Sequence, residues 1–406
     1  MKTGTIATPV RLPGIAATAP LAHSLLLAEL TEVCLSVTGD AGRALRLARS
    51  LGPLAPRMSE GHTGEILEIL ATAAAVDLTA ARVVEAHLDA LGILSQNALE
   101  PEMLFAGTPV QHQAWGVFAA EAPGHRLTAA QQRDGTWHLD GTKPWCSLAG
   151  GLTQALVTAR TSDTHRRLFA VDLIDPGVVV RSGGWVAVGL PGVPSCPVDF
   201  THVDAVPIGP DDWYLTRPGF AWGGIGVAAC WYGGAVGVAR RLTAGLHERD
   251  PDELALAQLG AVDVLLSACA TTLASAARAI DEGAANGTAG TLLAARVRGL
   301  VARTVEEVIS RVGHALGPAP LAFDARHTQR VADLQLYVRQ HHAERDDAAL
   351  GKRLLSDRRV TLLATPPGHD GHEATGESAG AGHGQSSAPG GSAGAVTGPS
   401  GGEWPW

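Results

Sequence analysis

Apolar residues recur at helical spacing over 64–76 and 80–94, in a stretch up to about His112 that is rich in Ala and Leu, so helices are expected there. From Trp115 to about Asp211 the period changes. Short β-branched and aromatic runs at 155–160, 168–173 and 178–181, separated by Gly, Pro and Asp, predict strands. Asp134-Gly-Thr-Trp-His-Leu-Asp-Gly141 reads as two short alternating strands with an Asp-Gly turn at either end. Beyond Phe220 the Ala-, Leu- and Val-rich runs 224–246, 254–282 and 291–316 are each long enough for a helix of a packed bundle. The order predicts an α+β protein: an N-terminal helical domain over 1–112, a middle antiparallel β-domain over 113–212 and a C-terminal helical bundle over 213–357. From 358 to 406 the chain is rich in Gly, Ser, Ala and Pro, cannot bury enough apolar surface to order itself, and predicts a disordered tail.

Composition narrows the class. The chain carries a formal net charge of −9 over 406 residues with no basic block, which argues against nucleic-acid binding and for a soluble small-molecule enzyme. Cys34, Cys146, Cys196, Cys230 and Cys269 are scattered without a Cys-x-x-Cys pair, so neither a zinc site nor a disulfide framework is expected, and reduced cytoplasmic thiols are the default. Pro9, Pro13 and Gly14 interrupt the N-terminus, so neither a signal peptide nor a membrane span is expected. The terminal Glu403-Trp-Pro-Trp406 reads as an unbound end or a docking peptide.

Two segments, Phe118-Ala-Ala-Glu-Ala-Pro123 and Gly141-Thr-Lys-Pro-Trp-Cys-Ser147, resemble the flavin-cradling segments of the acyl-CoA dehydrogenase family, and the likeness extends from about Ala80 to Leu355. That family builds a β-hairpin between the two, and its closing strands are similar to the run from Gly189 to Ile208-Gly209. An isoalloxazine is a flat, mostly apolar plate with hydrogen-bonding groups along one edge, and an indole face and a hydroxyl suit it. By resemblance Phe118, Ala120, Trp145 and Ser147 line the flavin of an FAD; the other reading of Phe118 and Trp145 is as core aromatics. Gly313 and Gly317 stand where the family has a Gly-Gly turn near the adenosine phosphates, or else they end a helix. The resemblance further implies a homo-oligomer that oxidises the α,β bond of an acyl-CoA thioester and passes electrons to an electron-transfer flavoprotein.

The departures are as informative. Aligned without gaps through Ala332-Asp333 and Lys352-Arg353, the family's catalytic glutamate falls on His341, and the alternative base position falls near Gly223 or Gly224. An imidazole titrates near ~6.5 and can serve as a general base, with Glu344 close enough in sequence to orient it. The polar run from Tyr337 to Asp346 also reads as a solvated helix face, and adjacent histidines on a helix point about 100° apart, which disfavours a metal site. Flavin-dependent monooxygenases of the same fold carry a histidine close to this place and use oxygen with reduced flavin from a partner reductase, which makes a second reading; a non-catalytic relative is a third. The family's Gly-Ser-Asp turn is shortened to Gly124-His125-Arg126, and its pyrophosphate arginine is not evident over 246–254. Gly224-Ile-Gly-Val-Ala-Ala229 matches a relaxed dinucleotide fingerprint, but the preceding Leu215-Thr-Arg-Pro-Gly-Phe220 is no strand, so its small residues are read as close helix packing.

Overall fold

The structure, a computed structural model, describes residues 7–105, 107–248 and 250–356. The expected tail lies outside the described residues. Six helices come first: α1 (Ile15–Thr18), α2 (Leu21–Val37), α3 (Ala41–Leu51), α4 (Thr63–Val76), α5 (Leu78–Gln96) and α6 (Pro101–Leu104). Strands follow: β1 (Trp115–Phe118), β2 (Leu127–Gln131), β3 (Trp137–Ser147), β4 (Gln154–Arg160), β5 (Arg166–Asp172), β6 (Val178–Val180) and β7 (Ser195–Ile208). The chain then returns to helix with α7 (Trp213–Thr216), α8 (Pro218–His247), α9 (Glu253–Asp281), α10 (Gly287–Leu316), α11 (Ala319–Phe323), α12 (Ala325–Tyr337) and α13 (Glu344–Ser356). Several starts are set by aspartate caps: the side chains of Asp40, Asp77, Asp252 and Asp324 accept the N–H of Arg43, Ala80, Ala255 and His327.

The sheet is mixed, not purely antiparallel. β1 runs parallel to β4, with Trp115 opposite Gln154, and β2 touches β4 in parallel through Thr128 and Arg160. The reason is topological: the β2–β3 hairpin is inserted between β1 and β4, so the chain returns beside β1 in the same direction. β4, β2, β3, β7 and β5 pair in turn, and β5 pairs back to β4, which closes a ring of strands. Asp134-Gly135 makes the hairpin turn as expected, but Asp140-Gly141 does not turn. Gly141 sits inside β3 at a register shift, with φ 121°, and a Cβ there would strike the Arg126 carbonyl.

One hydrophobic interior joins helices and sheet. Leu67 and Ile69 of α4, Phe169 of β5, Val198 of β7, Trp231 of α8 and Val301 of α10 are all fully buried in the same cluster. α8 lies close against α4, because Gly233 and Gly237 face the backbone carbonyls of Ala71 and Ala75. Gly224 and Gly226 fall within α8, where a Cβ at Gly226 would meet Met58 and Leu70. Among the described residues α9 is the one helix long and apolar enough to cross a membrane. It packs on α8, α10 and α4, and leaves Leu254, Leu256 and Val264 exposed.

Candidate functional site

Where the sheet meets α5 and α8 there is a cavity of about 580 Å³, a size typical of small-molecule sites. α5 contributes one wall with Arg82, Glu85 and Asp89, which lie about one turn apart and so share a face. The sheet side contributes Ala119, Ala120 and Glu121 after β1, with Trp145 and Ser147 of β3. The start of α8 and the chain following α12 close the remaining sides through Arg217, Gly223, Gln340 and His342.

The sheet side is rigidly held. Lys143 is 1% exposed, and its ammonium donates to Glu121 at 2.7 Å and to Thr158 at 2.8 Å. Burial lowers its pKa, and Glu121 opposes that shift. This pair fastens the 119–121 segment to β3 and β4. A register shift between Lys143 and Cys146, with Trp145 at φ 58°, turns the Trp145 indole out of the sheet, where it is 55% exposed. The Ser147 hydroxyl accepts from Arg82 at 3.2 Å and shares a 2.8 Å hydrogen bond with Ser195.

The helical side carries the charge. Arg82 pairs with Glu85 at 2.6 Å, and the Tyr337 hydroxyl donates to the same carboxylate at 3.2 Å. Burial raises the Glu85 carboxyl, with Arg82 opposing; burial likewise raises Asp89, opposed by Arg217 and Arg82. The 185–195 segment is tied down by the Leu190 N–H, which donates to Asp333 of α12 at 2.5 Å.

Of the residues singled out in the sequence, Ala120, Trp145 and Ser147 line this cavity. Phe118 does not. Strand alternation sends Val117 and Ala119 to the cavity and Phe118, 1% exposed, into the core. His341 also turns inward, 7% exposed, with its ring edge-on to Trp231 at 6.5 Å and its Nδ1 accepting the Ala343 N–H at 3.2 Å. Burial lowers its imidazole below the usual range, opposed by Asp346. Its neighbours Gln340 and His342 face the cavity instead, because residues 338–343 are not a regular helix: a single 3₁₀ turn, Val338–Gln340, links α12 to a short extended segment before α13. Glu344 is exposed in the first turn of α13 and orients neither histidine. Asp346 lies 3.8 Å from His341 and 3.5 Å from His342. Gly313 and Gly317 lie outside the cavity lining. Gly317, at φ 67°, caps the end of α10, with its N–H bonded to the Gly313 carbonyl.

Arg82, Glu85, Asp89 and Arg217 were not read from the sequence, and His342 was weighed there only as a disfavoured metal ligand beside His341. The first three left a trace there, a polar stripe at positions 82, 85 and 89 of a helix whose other residues are mainly apolar. These residues fit a flavin ring: small alanines beside a flat opening, an indole facing out, and two hydroxyls at the edge.

No family model and no curated protein matches the chain. Solved structures do. KijD3 in complex with dTDP is 20% identical, with a TM-score of 0.70 over 84% of this chain and 98% of that one. FMN-bound TdsC from Paenibacillus sp. A11-2 is 18% identical, with a TM-score of 0.68 over 85% and 99%. Butyryl-CoA dehydrogenase from Megasphaera elsdenii is 16% identical, with a TM-score of 0.71 over 83% and 99%. At such identities the likeness speaks for architecture alone, and the architecture is plain: this chain has the acyl-CoA dehydrogenase fold.

Proposed function

We propose that the protein is a flavin-dependent oxidoreductase that uses reduced flavin and dioxygen to oxygenate a small organic substrate. The observation that carries the reading is the meeting of small and aromatic residues around Trp145 with the charged Arg82, Glu85 and Asp89 in one cavity. Bound flavin would supply reversible two-electron transfer and, when reduced, reaction with oxygen. Ala119 and Ala120 leave room for the ring, and the Ser147 and Ser195 hydroxyls offer hydrogen bonds to its polar edge. Glu85 and Asp89, both held toward the protonated form, accept or return a proton from the substrate, while Arg82 holds Glu85 in place. Among similar structures, TdsC is described with FMN and as a dibenzothiophene monooxygenase, which supports FMN as the first cofactor to test; a partner reductase would supply the reduced flavin.

A second reading, FAD-dependent α,β-dehydrogenation of an acyl thioester with an electron-transfer flavoprotein as acceptor, is favoured by the same two carboxylates. The family's glutamate position holds an inward-turned His341, yet Glu85 or Asp89 offers an alternative base for the substrate's α-proton. The exposed apolar residues of α9 support assembly of copies under either reading.

The test is titration of purified protein with FMN and with FAD, followed by anaerobic reduction and exposure either to oxygen or, for the oxidised form, to acyl-CoA thioesters. Tight FMN binding and no bleaching by thioesters support the oxygenase. Bleaching by a thioester installs the dehydrogenase, and no binding of either flavin removes both.

A further inference from the structure

Beside the central cavity lie two further hollows, linked to it in series by shared lining residues. One of about 40 Å³ lies between α5 and α8 and shares Glu85, Asp89, Arg217 and Gly223 with the central cavity. The other, of about 290 Å³, shares Pro56 and Arg57 with the first and is bordered by Glu60 and Glu100, both exposed. The narrow middle part is bounded by glycines, Gly219, Gly223 and Gly226 on one side of α8 and Gly92 on α5. At Gly92 an added Cβ would meet nothing within 4 Å, and at Gly223 it would come within 3.1 Å of Asp89 Oδ1. A space of about 40 Å³ admits roughly two or three waters and no organic substrate. Glu85, Asp89 and Arg217 are shared with the central cavity and Arg57 with the outer hollow, while Arg217 donates to the exposed Gln96 at 2.7 Å and the two side chains fill the space beside Gly219. Met58, Leu70 and Trp222 lie among the apolar walls of the narrow part.

We propose that these hollows form a rear solvent path by which Glu85 and Asp89 exchange protons with bulk water while ligands fill the central cavity. Arg82, Tyr337 and Asp89 face Glu85, and Arg217 and Arg82 face Asp89, so the two carboxylates act on each other and are otherwise surrounded by groups that stay in one charge state near neutrality. A carboxylate that takes a proton from a substrate must release it before the next turnover. With ring and substrate filling the central cavity, the gap between α5 and α8 is the way out. The path stands on geometry alone; its use in turnover rests on the oxidoreductase reading.

Gly92→Cys in the full chain tests the path, since there is room for the new side chain and the native thiols are buried except for the half-buried Cys196. Mass spectrometry after methyl methanethiosulfonate treatment should show one label beyond the parent chain. Adding Ser95→Trp, which fills the outer hollow, should slow that labelling at least tenfold. An introduced thiol that does not react, or one indifferent to Ser95→Trp, overturns the path. Its proton role is read from Gly92→Leu, which plugs the neck. Hydrogen–deuterium exchange of the protonated-carboxyl infrared bands that vanish in Glu85→Gln and Asp89→Asn should slow at least tenfold, and an unchanged rate overturns that role. A melting curve for each variant establishes that it is folded. Flavin binding is measured separately with FMN, so its failure strikes the oxidoreductase reading and leaves the path standing.

Discussion

Arg298 of α10 donates from Nη2 to the carbonyl oxygen of Gln340 at 2.9 Å, and so pins the chain that borders the cavity to a helix remote from it. The same guanidinium donates to the Gly224 carbonyl at 3.2 Å and lies over Trp231, 4.7 Å from the ring centroid. Burial lowers its pKa to about 10, which leaves it charged at neutral pH.

Arg298→Met keeps the apolar stem but removes both hydrogen bonds and the cation–π contact. A loss of about 2–4 kcal/mol is expected, read as a lower denaturation midpoint. Arg298→Lys should recover only part of it, because one ammonium does not reproduce the planar fork.

Asp89→Asn should raise stability at pH 7. The folded-state carboxyl titrates above its unfolded value, so the native state holds its proton longer and stability falls as pH rises from about 4 through the folded value. Removing the charge removes that fall. The gain in melting temperature over wild type should shrink as the pH is brought toward 4, and a gain equal at both pH values would contradict the assignment.

His87 works with the opposite sign. Its Nδ1 accepts the Trp115 N–H at 3.2 Å, and burial lowers the imidazole to about 4 from 6.5. Stability it contributes is complete above pH 6.5 and lost as pH falls toward 4, by about 3 kcal/mol. His87→Gln, which keeps an acceptor without a titrating group, should flatten this part of the stability–pH curve.

Gly233→Ala separates propensity from packing. In an exposed helix the change gains about 1 kcal/mol, but here the new methyl would press on the Ala71 backbone of α4. A net loss of about 2 kcal/mol is expected in a denaturant titration.

The long elements were legible because their periodicity outlasts local noise: residues 80–94 lie within α5 and 155–160 within β4. The parallel β1–β4 pairing was not, since strand direction depends on where the chain returns and not on which residues it contains. Trp145 lies on the cavity, yet Phe118 points into the core, because a four-residue strand gives alternation but no absolute phase. His341 turns from the cavity for a similar reason, as one step along an irregular segment carries the imidazole to Trp231. The α5 charges passed unnoticed because a helical stripe of Arg82, Glu85 and Asp89 looks like any solvated face until the sheet closes over it.

The large interior that joins α4, β5, β7, α8 and α10, and the smaller cluster that joins α5 to β1, β4 and β5, bear on how this protein comes apart. A chain in which each hydrophobic cluster is shared by helices and strands has no seam along which to loosen by halves. Severing it near 112 or 212 would leave fragments with raw apolar faces, and heating the whole should erase helix and sheet signals together, in one transition.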